Sequence, residues 1–196
     1  MKRDTLVFLP GHTYKKLYTT ISYEEYLHAI PVMNVLEVSS KSNLTIGRKL
    51  SAMFLTAAYH DRFVNVEACY QSSKVFQNGG PYLDLLFMNP FDVKRDTRLY
   101  QSGRLIGFRF QDEEWKGTDM GYFYDWLYIG ALYRMPSMLA ELLKYEGFMD
   151  MFFNPQYSRN TQAASCATAR SLMEMGALDY AMKDRECFIE TLGKYR

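Results

Sequence analysis

The stretch VEACYQSSK (66–74) contains three polar side chains whose types could support acid–base and nucleophilic chemistry. Glu67, Gln71 and Lys74 stand at positions i, i+4 and i+7, so all three project from one face if the stretch is helical. A carboxyl group can donate and accept a proton, and a lysine amine that has lost its proton can attack an electrophilic carbon. The same spacing is also typical of a solvated stripe on a surface helix, which is the commoner case. Val66, Tyr70 and Phe76 close to the stripe indicate that part of it borders apolar surface.

A second candidate is an acidic residue within the aromatic segment FYDWLY (123–128). Asp125 is the only charged residue between Gly121 and Arg134, and Trp126 follows it directly. An acid among aromatic residues is either capped and exposed or placed there for a function. The residues themselves leave both interpretations open.

Further polar segments could bind an anion. The segment NPQYSRNTQ (154–162) precedes a predicted helix, whose free N–H groups favour anions such as a pyrophosphate, although an ordinary capping loop explains the same residues. Basic side chains that could contact phosphates fall in two groups, which are Lys41, Arg48 and Lys49, and Lys94, Arg95, Arg98 and Arg104. Each of these alone is typical of a solvated surface. The histidines show no metal-ligand spacing, so no metal site is predicted.

The elements that would position these residues are mostly helices. A helix over about 65–77 is predicted to end at the stop signal NGGP (78–81), and further helices are predicted over 23–29, 92–102, 122–134, 137–146, 160–175 and 178–193. Short strands are predicted over 35–38 and 105–110, a polar loop over 111–121, and either helix or strand over 47–59. We therefore expect one domain over residues 1–196 that is mainly α with a few short β-strands.

The composition limits the possible classes of protein. The 196 residues carry a formal charge of +1, so the chain is not a strongly basic nucleic-acid binder, although local clusters could still grip phosphates. The three cysteines form no CxxC pair, which argues against a zinc site and against a disulfide framework. No segment reaches the ~18 apolar residues of a membrane span, and LVFL near the N-terminus is too short for a signal peptide. A soluble, cytoplasmic protein with no membrane partner is expected.

Several blocks of the sequence together resemble the NADAR family of N-glycosidases. Glu67, Gln71 and Lys74 match the Glu-x-x-x-Gln-x-x-Lys pattern of that family. The segment LSAMF (50–54) is similar to its Leu-Ser-Asn-Phe-like segment, with Ala52 where the wider family often has Asn. The similarity is closest to the NADAR branch encoded beside DarT-type DNA ADP-ribosyltransferase toxins. The blocks that resemble this branch are GRKLSA (47–52), YQSSKVF (70–76), GGPY (79–82), KRDTRL (94–99), SGRL (102–105), FYDWLY (123–128) and NPQYSRNTQA (154–163).

The resemblance implies a compact, mainly α-helical NADAR-like fold and an N-glycosidase activity, and we expect no cofactor. Members of the toxin-linked branch remove ADP-ribose from guanine bases in DNA and so act as antitoxins. The expected substrate is therefore ADP-ribosylated single-stranded DNA, and the expected product is ADP-ribose. The expected functional partner is a DarT-type toxin.

The resemblance also suggests roles for individual residues. Glu67 is expected to act as general acid and base, Lys74 as the amine that forms a Schiff base, and Asp125 to orient a ribose hydroxyl or share the acid–base work. Lys49 is the rival nucleophile, and direct hydrolysis by water stays open. The residues expected to bind the substrate are Arg48, Lys49, Ser51, Gln71, Arg104, Trp126, Asn154, Asn160 and Gln162.

Three other functions are compatible with the sequence. One is an N-glycosidase that acts on small phosphoribosylamino intermediates of riboflavin synthesis, as another branch of the family does. The second is a non-catalytic module that binds ADP-ribose. The third is a protein that neutralises a toxin by forming a complex with it.

Overall fold

The computed structural model describes residues 6–11, 16–29, 34–151 and 161–195. Of these residues, 47% lie in helices and 22% in strands. Helices therefore predominate, as predicted, but the strands take a larger share than the expected few short ones. The fold is a mixture of helices and small sheets.

Strands in the described residues are numbered along the chain: β1 (Leu6–Pro10), β2 (Tyr18–Ser22), β3 (Val35–Glu37), β4 (Thr56–Tyr59), β5 (Arg62–Asn65), β6 (Lys74–Phe76), β7 (Leu105–Phe110), β8 (Glu113–Lys116) and β9 (Gly147–Met149). The helices are α1 (Tyr23–Ala29), α2 (Thr45–Lys49), α3 (Val66–Ser72), α4 (Pro90–Val93), α5 (Arg98–Gln101), α6 (Met120–Tyr133), α7 (Pro136–Leu142), α8 (Gln162–Glu174), α9 (Leu178–Ala181) and α10 (Arg185–Gly193). Short 3-10 helices cover Leu83–Phe87 and Gly117–Asp119.

The chain folds into two compact units, the first from residues 1–51 and 132–196 and the second from residues 52–131. The first unit contains a four-stranded sheet in the order β2-β1-β9-β3, in which only the β3–β9 pair is parallel. Helix α8 packs on β1 and β9. Its residues from Ala163 to Leu172 are buried and mostly small, so the helix can approach the sheet closely.

The second unit is built around an aromatic core. It contains the hairpin β4–β5 and an antiparallel sheet in the order β6-β7-β8. The ring of Phe123 on α6 lies 4.5 Å from that of Phe108 on β7 and 5.6 Å from that of Trp115 on β8. Aromatic pairs at these separations contribute about 0.5–1.5 kcal/mol each beyond the burial of their area. These packed aromatic rings therefore form a rigid core for the second unit.

The predicted helix over 65–77 is wrong in its second half. Helix α3 ends at Ser72, and strand β6 begins two residues later at Lys74. The hydroxyls of Ser72 and Ser73 both bond the Cys69 carbonyl, at 3.1 and 2.6 Å. Serine hydroxyls that bond nearby carbonyls compete with continued helix, and here they coincide with its end.

The predicted loop over 111–121 contains strand β8. Its sequence EEWK is mostly charged, yet Trp115 points inward and is buried while its neighbours Glu114 and Lys116 are exposed. One buried aromatic residue on the inner face is enough to hold the strand against β7. A strand at Leu6–Pro10 and the split of the region 178–193 into α9 and α10 were also not predicted.

Candidate active site

Glu67 is buried in the first turn of α3, with 6% of the residue exposed. Its backbone N–H donates to the Ala52 carbonyl at 3.0 Å, which fixes the start of the helix. The carboxylate oxygen Oε1 accepts a hydrogen bond from Gln71 Nε2 at 2.9 Å. The same oxygen lies 3.5 Å from Nζ of Lys94. The predicted i, i+4 pairing of Glu67 and Gln71 is confirmed, and the carboxyl also has a cationic neighbour.

Lys74 reaches the same site from strand β6 rather than from the helix. Its strand partner is Phe108 on β7, and its Nζ lies 4.9 Å from the centre of the Tyr70 ring. The pKa of Lys74 is lowered to about 8, with burial as the largest cause; the negative charge of Glu67 opposes this shift, and the positive charge of Lys94 adds to it. A pKa of about 8 leaves about one tenth of the amine neutral at pH 7, against about one part in 3,000 for a pKa of 10.5.

The wall behind the Lys74 amine is aromatic. The Tyr70 ring stacks at 5.4 Å from Phe108 and at 6.1 Å from Phe123, and it meets Tyr124 edge-on at 5.1 Å. These contacts hold the ring in one place. An electron-rich ring face attracts a cation, so Tyr70 partly offsets the cost of placing an amine at a half-buried position.

Lys94 is positioned by the contacts of Arg98, four residues further along the chain. The Arg98 guanidinium donates to both carboxylates that flank it, with Nη2 at 2.7 Å from Asp84 Oδ2 and at 2.9 Å from Asp96 Oδ2. It also lies over the Tyr82 ring, 4.6 Å from its centre. These contacts join the loop that carries Lys94 to the 3-10 helix at Leu83–Phe87, which packs on α3. Lys94 and Arg98 belong to the KRDTRL block, but their part in this site depends on tertiary contacts that the sequence does not reveal.

The aromatic segment on α6 contains the other predicted residues of the second unit. Asp125 is buried, with 8% of the residue exposed. Trp126 is half-buried, with its ring 5.5 Å from Trp115 and 6.3 Å from Phe110. Trp126 is thus part of the aromatic core, and its predicted stacking on the substrate stays a prediction, as does the role of Asp125.

The two arginines predicted to bind phosphate, Arg48 and Arg104, belong to different units. In the first unit, Arg48 donates to the carbonyls of Ser42 at 2.6 Å and Asn43 at 3.2 Å, and to Thr45 Oγ1 at 3.1 Å. Its guanidinium therefore stabilises the loop before α2. Arg104, in the second unit, is exposed in the turn before β7.

The remaining predicted substrate-binding residues belong to the first unit. Lys49 is exposed at the end of α2, and Ser51 is buried. Gln162 Nε2 donates to the Val38 carbonyl at 2.7 Å and to Asp150 Oδ2 at 3.0 Å. Asn154 and Asn160 lie outside the described residues. The buried acid Asp150 was not predicted, since nothing in its sequence neighbours distinguishes it.

Within the described ranges, no group of three or more His, Cys, Asp or Glu side chains could hold a metal ion. No helix in the same ranges is both long and apolar enough to cross a membrane. The three cysteines are free thiols, and Cys69 and Cys166 are buried.

A buried carboxyl beside an amine of lowered pKa is typical of sites that carry out acid–base and nucleophilic chemistry. The family model that matches this chain describes the DarT1-associated NADAR antitoxin and covers residues 6–196. The chain therefore belongs to the DarT1-associated NADAR antitoxin family, which confirms the resemblance seen in the sequence blocks. A comparison with curated proteins finds no significant match.

Proposed function

We propose that this protein removes ADP-ribose from ADP-ribosylated guanine bases in single-stranded DNA and thereby reverses the action of a DarT1 toxin. The observation that carries the proposal is that a buried carboxyl, Glu67, is near enough to the Lys74 amine for its charge to act on the pKa of that amine. Burial lowers the pKa of the Lys74 amine to about 8, and the Glu67 carboxyl is held in place by Gln71 and Lys94. Membership of an antitoxin family associated with DarT1 supports a role against that toxin, and the substrate class is the one that the resemblance to the toxin-linked branch implies.

The first step transfers a proton and exchanges one bond for another. ADP-ribosylated guanine joins C1 of the ribose to the exocyclic nitrogen of the base, which is a poor leaving group unless it is protonated. Glu67 in its carboxylic acid form donates a proton to that nitrogen as the C1–N bond to guanine breaks. The neutral amine of Lys74 forms a new C–N bond at C1. Guanine leaves, Glu67 becomes a carboxylate, and Lys74 carries a positive charge.

The second half of the reaction releases ADP-ribose and restores both residues. A proton moves from the Lys74 nitrogen to the ribose ring oxygen, the ring opens, and a protonated Schiff base remains. Water adds to C1 and gives one proton to the Glu67 carboxylate. The C–N bond then breaks as the new hydroxyl returns its proton to Lys74, which leaves the aldehyde form of ADP-ribose. The sum is hydrolysis of one glycosidic bond.

The test is release of ADP-ribose from a guanine-ADP-ribosylated single-stranded oligonucleotide. We expect the wild-type protein to release it and Lys74→Met and Glu67→Gln to lose at least 100-fold in rate, on the order of what one catalytic group contributes. Borohydride should trap the wild-type protein as a covalent adduct at Lys74. Lys116→Met is the matched control, because Lys116 is an exposed lysine on β8 of the same unit.

Three other results would contradict the proposal. Trapping at Lys49 instead of Lys74 would assign the nucleophile to the exposed rival. Hydrolysis of a free phosphoribosylamino nucleotide but not of the oligonucleotide would assign a small-molecule substrate. Rescue of cells from DarT1 by Glu67→Ala to the same extent as by wild type would indicate neutralisation by complex formation.

A further inference from the structure

An exposed aromatic pair in the second unit does not belong to its core. Phe54 and Phe91 are 49% and 41% exposed, and their ring centres lie 6.3 Å apart in an edge-to-face arrangement. Large rings left in water forfeit the free energy that burial would recover, so adjoining exposed rings mark a binding surface.

Both rings are carried by segments that contact Glu67. Phe54 stands two residues after Ala52, whose carbonyl accepts the Glu67 N–H at 3.0 Å. Phe91 stands three residues before Lys94, whose Nζ lies 3.5 Å from Glu67 Oε1. Helix α4, which contains Phe91, packs on α3. The aromatic pair is therefore tied to the same carboxyl that the proposed reaction uses.

Two basic residues, Lys94 and Arg95, project from the same side of the chain as Phe91. The backbone stays helical beyond α4, since the N–H of Lys94 donates to Pro90 and that of Arg95 donates to Asp92. Lys94 and Arg95 stand at i+3 and i+4 from Phe91, so their side chains project from the same side as the ring. Asp92, at i+1, projects from another side. Lys94 and Arg95 are exposed, and exposed cations beside an aromatic ring combine attraction for phosphates with a flat surface for a base.

We infer that Phe54 and Phe91, together with Lys94 and Arg95, bind the bases and phosphates of single-stranded DNA next to the modified guanine. The inference rests on the proposed function, because the segments that carry these rings are bonded to Glu67, where the modified guanine would be cleaved. Duplex DNA keeps its base faces stacked and offers none to the rings, whereas a single strand exposes them. A protein partner seated on the same rings would cover Lys94, so contact with the toxin is the outcome that the test must exclude.

The test measures binding and turnover separately. Binding of an unmodified single-stranded oligonucleotide, followed by fluorescence anisotropy, does not require hydrolysis, so it tests the surface even if the proposed reaction fails. We expect Phe54→Ala and Phe91→Ala each to weaken binding by about 5-fold or more, in keeping with one lost base–aromatic stack. Arg95→Ala should reduce the salt dependence of binding by about one phosphate contact. Phe63→Ala is the control, because Phe63 on β5 is also a large exposed ring of the same unit, at 68% exposed.

Turnover supplies the second readout. For the full oligonucleotide, Phe54→Ala and Phe91→Ala should raise KM with little change in kcat. For ADP-ribosylated guanosine, which has no flanking bases, their kcat/KM should equal that of wild type. Oligonucleotide affinities equal to wild type, or an equal loss with Phe63→Ala, would overturn the inference. Loss of DarT1 binding by the two variants with unchanged DNA affinity would also overturn it and assign the surface to the toxin.

Discussion

The two charged neighbours of Lys74 should move its pKa in opposite directions. Lys94 lowers this pKa and Glu67 raises it, while burial sets most of the departure from 10.5 to about 8. Lys94→Met should therefore shift the titration of Lys74 to higher pH, and Glu67→Gln should shift it to lower pH. Both substitutions nearly keep the size of the side chain, so the change in charge is the main perturbation.

The magnitude follows from the neutral fraction of the amine. With a pKa of about 8, about one tenth of Lys74 is neutral at pH 7. Each rise of one in the pKa lowers that fraction about tenfold, so a shift of even 0.5 in Lys94→Met reduces the neutral amine about threefold at pH 7. The rate of a step that uses the neutral amine falls by the same factor, and the loss disappears once the pH exceeds the new pKa.

The assay is an NMR titration of lysine labelled with ¹³C at Cε, with the Lys74 signal assigned from Lys74→Met. It measures the amine directly and does not depend on catalysis, which Glu67→Gln would abolish for another reason. Lys116→Met is the control and should leave the Lys74 titration where it is. A wild-type midpoint above pH 10, or shifts of the same sign in Lys94→Met and Glu67→Gln, would refute the electrostatic reasoning.

Three further predictions follow from the same contacts. Arg98→Lys should shift the pH profile of ADP-ribose release toward higher pH, as loss of Lys94 does, because the loop that carries Lys94 is no longer clamped; pH–rate profiles of both variants check this. Lys74→Met should raise the free energy of unfolding at pH 7, because it removes a charge that burial disfavours. The gain should be about 1–2 kcal/mol, less than the full shift from 10.5 to about 8 would give, since the half-buried amine keeps part of its hydration. The folded chain binds this proton less tightly than the unfolded chain, so the gain is full below about pH 8 and vanishes above pH 10.5, as urea unfolding at both extremes would show. Gln162→Ala should lower the free energy of unfolding by about 1–2 kcal/mol, because its amide donates to Asp150 and to a backbone carbonyl; a raised KM with unchanged unfolding would instead support substrate binding.

Local spacing predicted the part of the site that lies within one helix. The pairing of Glu67 with Gln71 follows from the i, i+4 rule, and the hydrogen bond between them is present. The position of Lys74 could not be predicted in this way, because Ser72 and Ser73 bond back to the helix and the chain continues as a strand. Even so, the charge of Glu67 acts on the pKa of the Lys74 amine, although the two residues do not share one helix face.

The contacts that cross long stretches of sequence could not be predicted. Lys94 lies 27 positions after Glu67, and the packing of α4 and of the 3-10 helix at Leu83–Phe87 on α3 brings them together. Strand β8 was missed for a related reason: its alternation rests on the single buried residue Trp115. The i, i+3 and i+4 placement of Lys94 and Arg95 relative to Phe91 could have been noted in the sequence, but the contact of Phe91 with Phe54 comes from the fold.

The two lysines around Glu67 are suited to different tasks because their exposure differs. Half of the Lys94 side chain is in water, at 49% exposed, where its ammonium group keeps most of its hydration. Lys74 is half-buried against Tyr70 and gives up its proton more readily. A substrate that brings a diphosphate adds negative charge, which would favour the protonated form of any nearby amine. The positive charge of Lys94 can pair with that charge and so protect the neutral form of Lys74. Lys49, in contrast, is exposed to water at the end of α2.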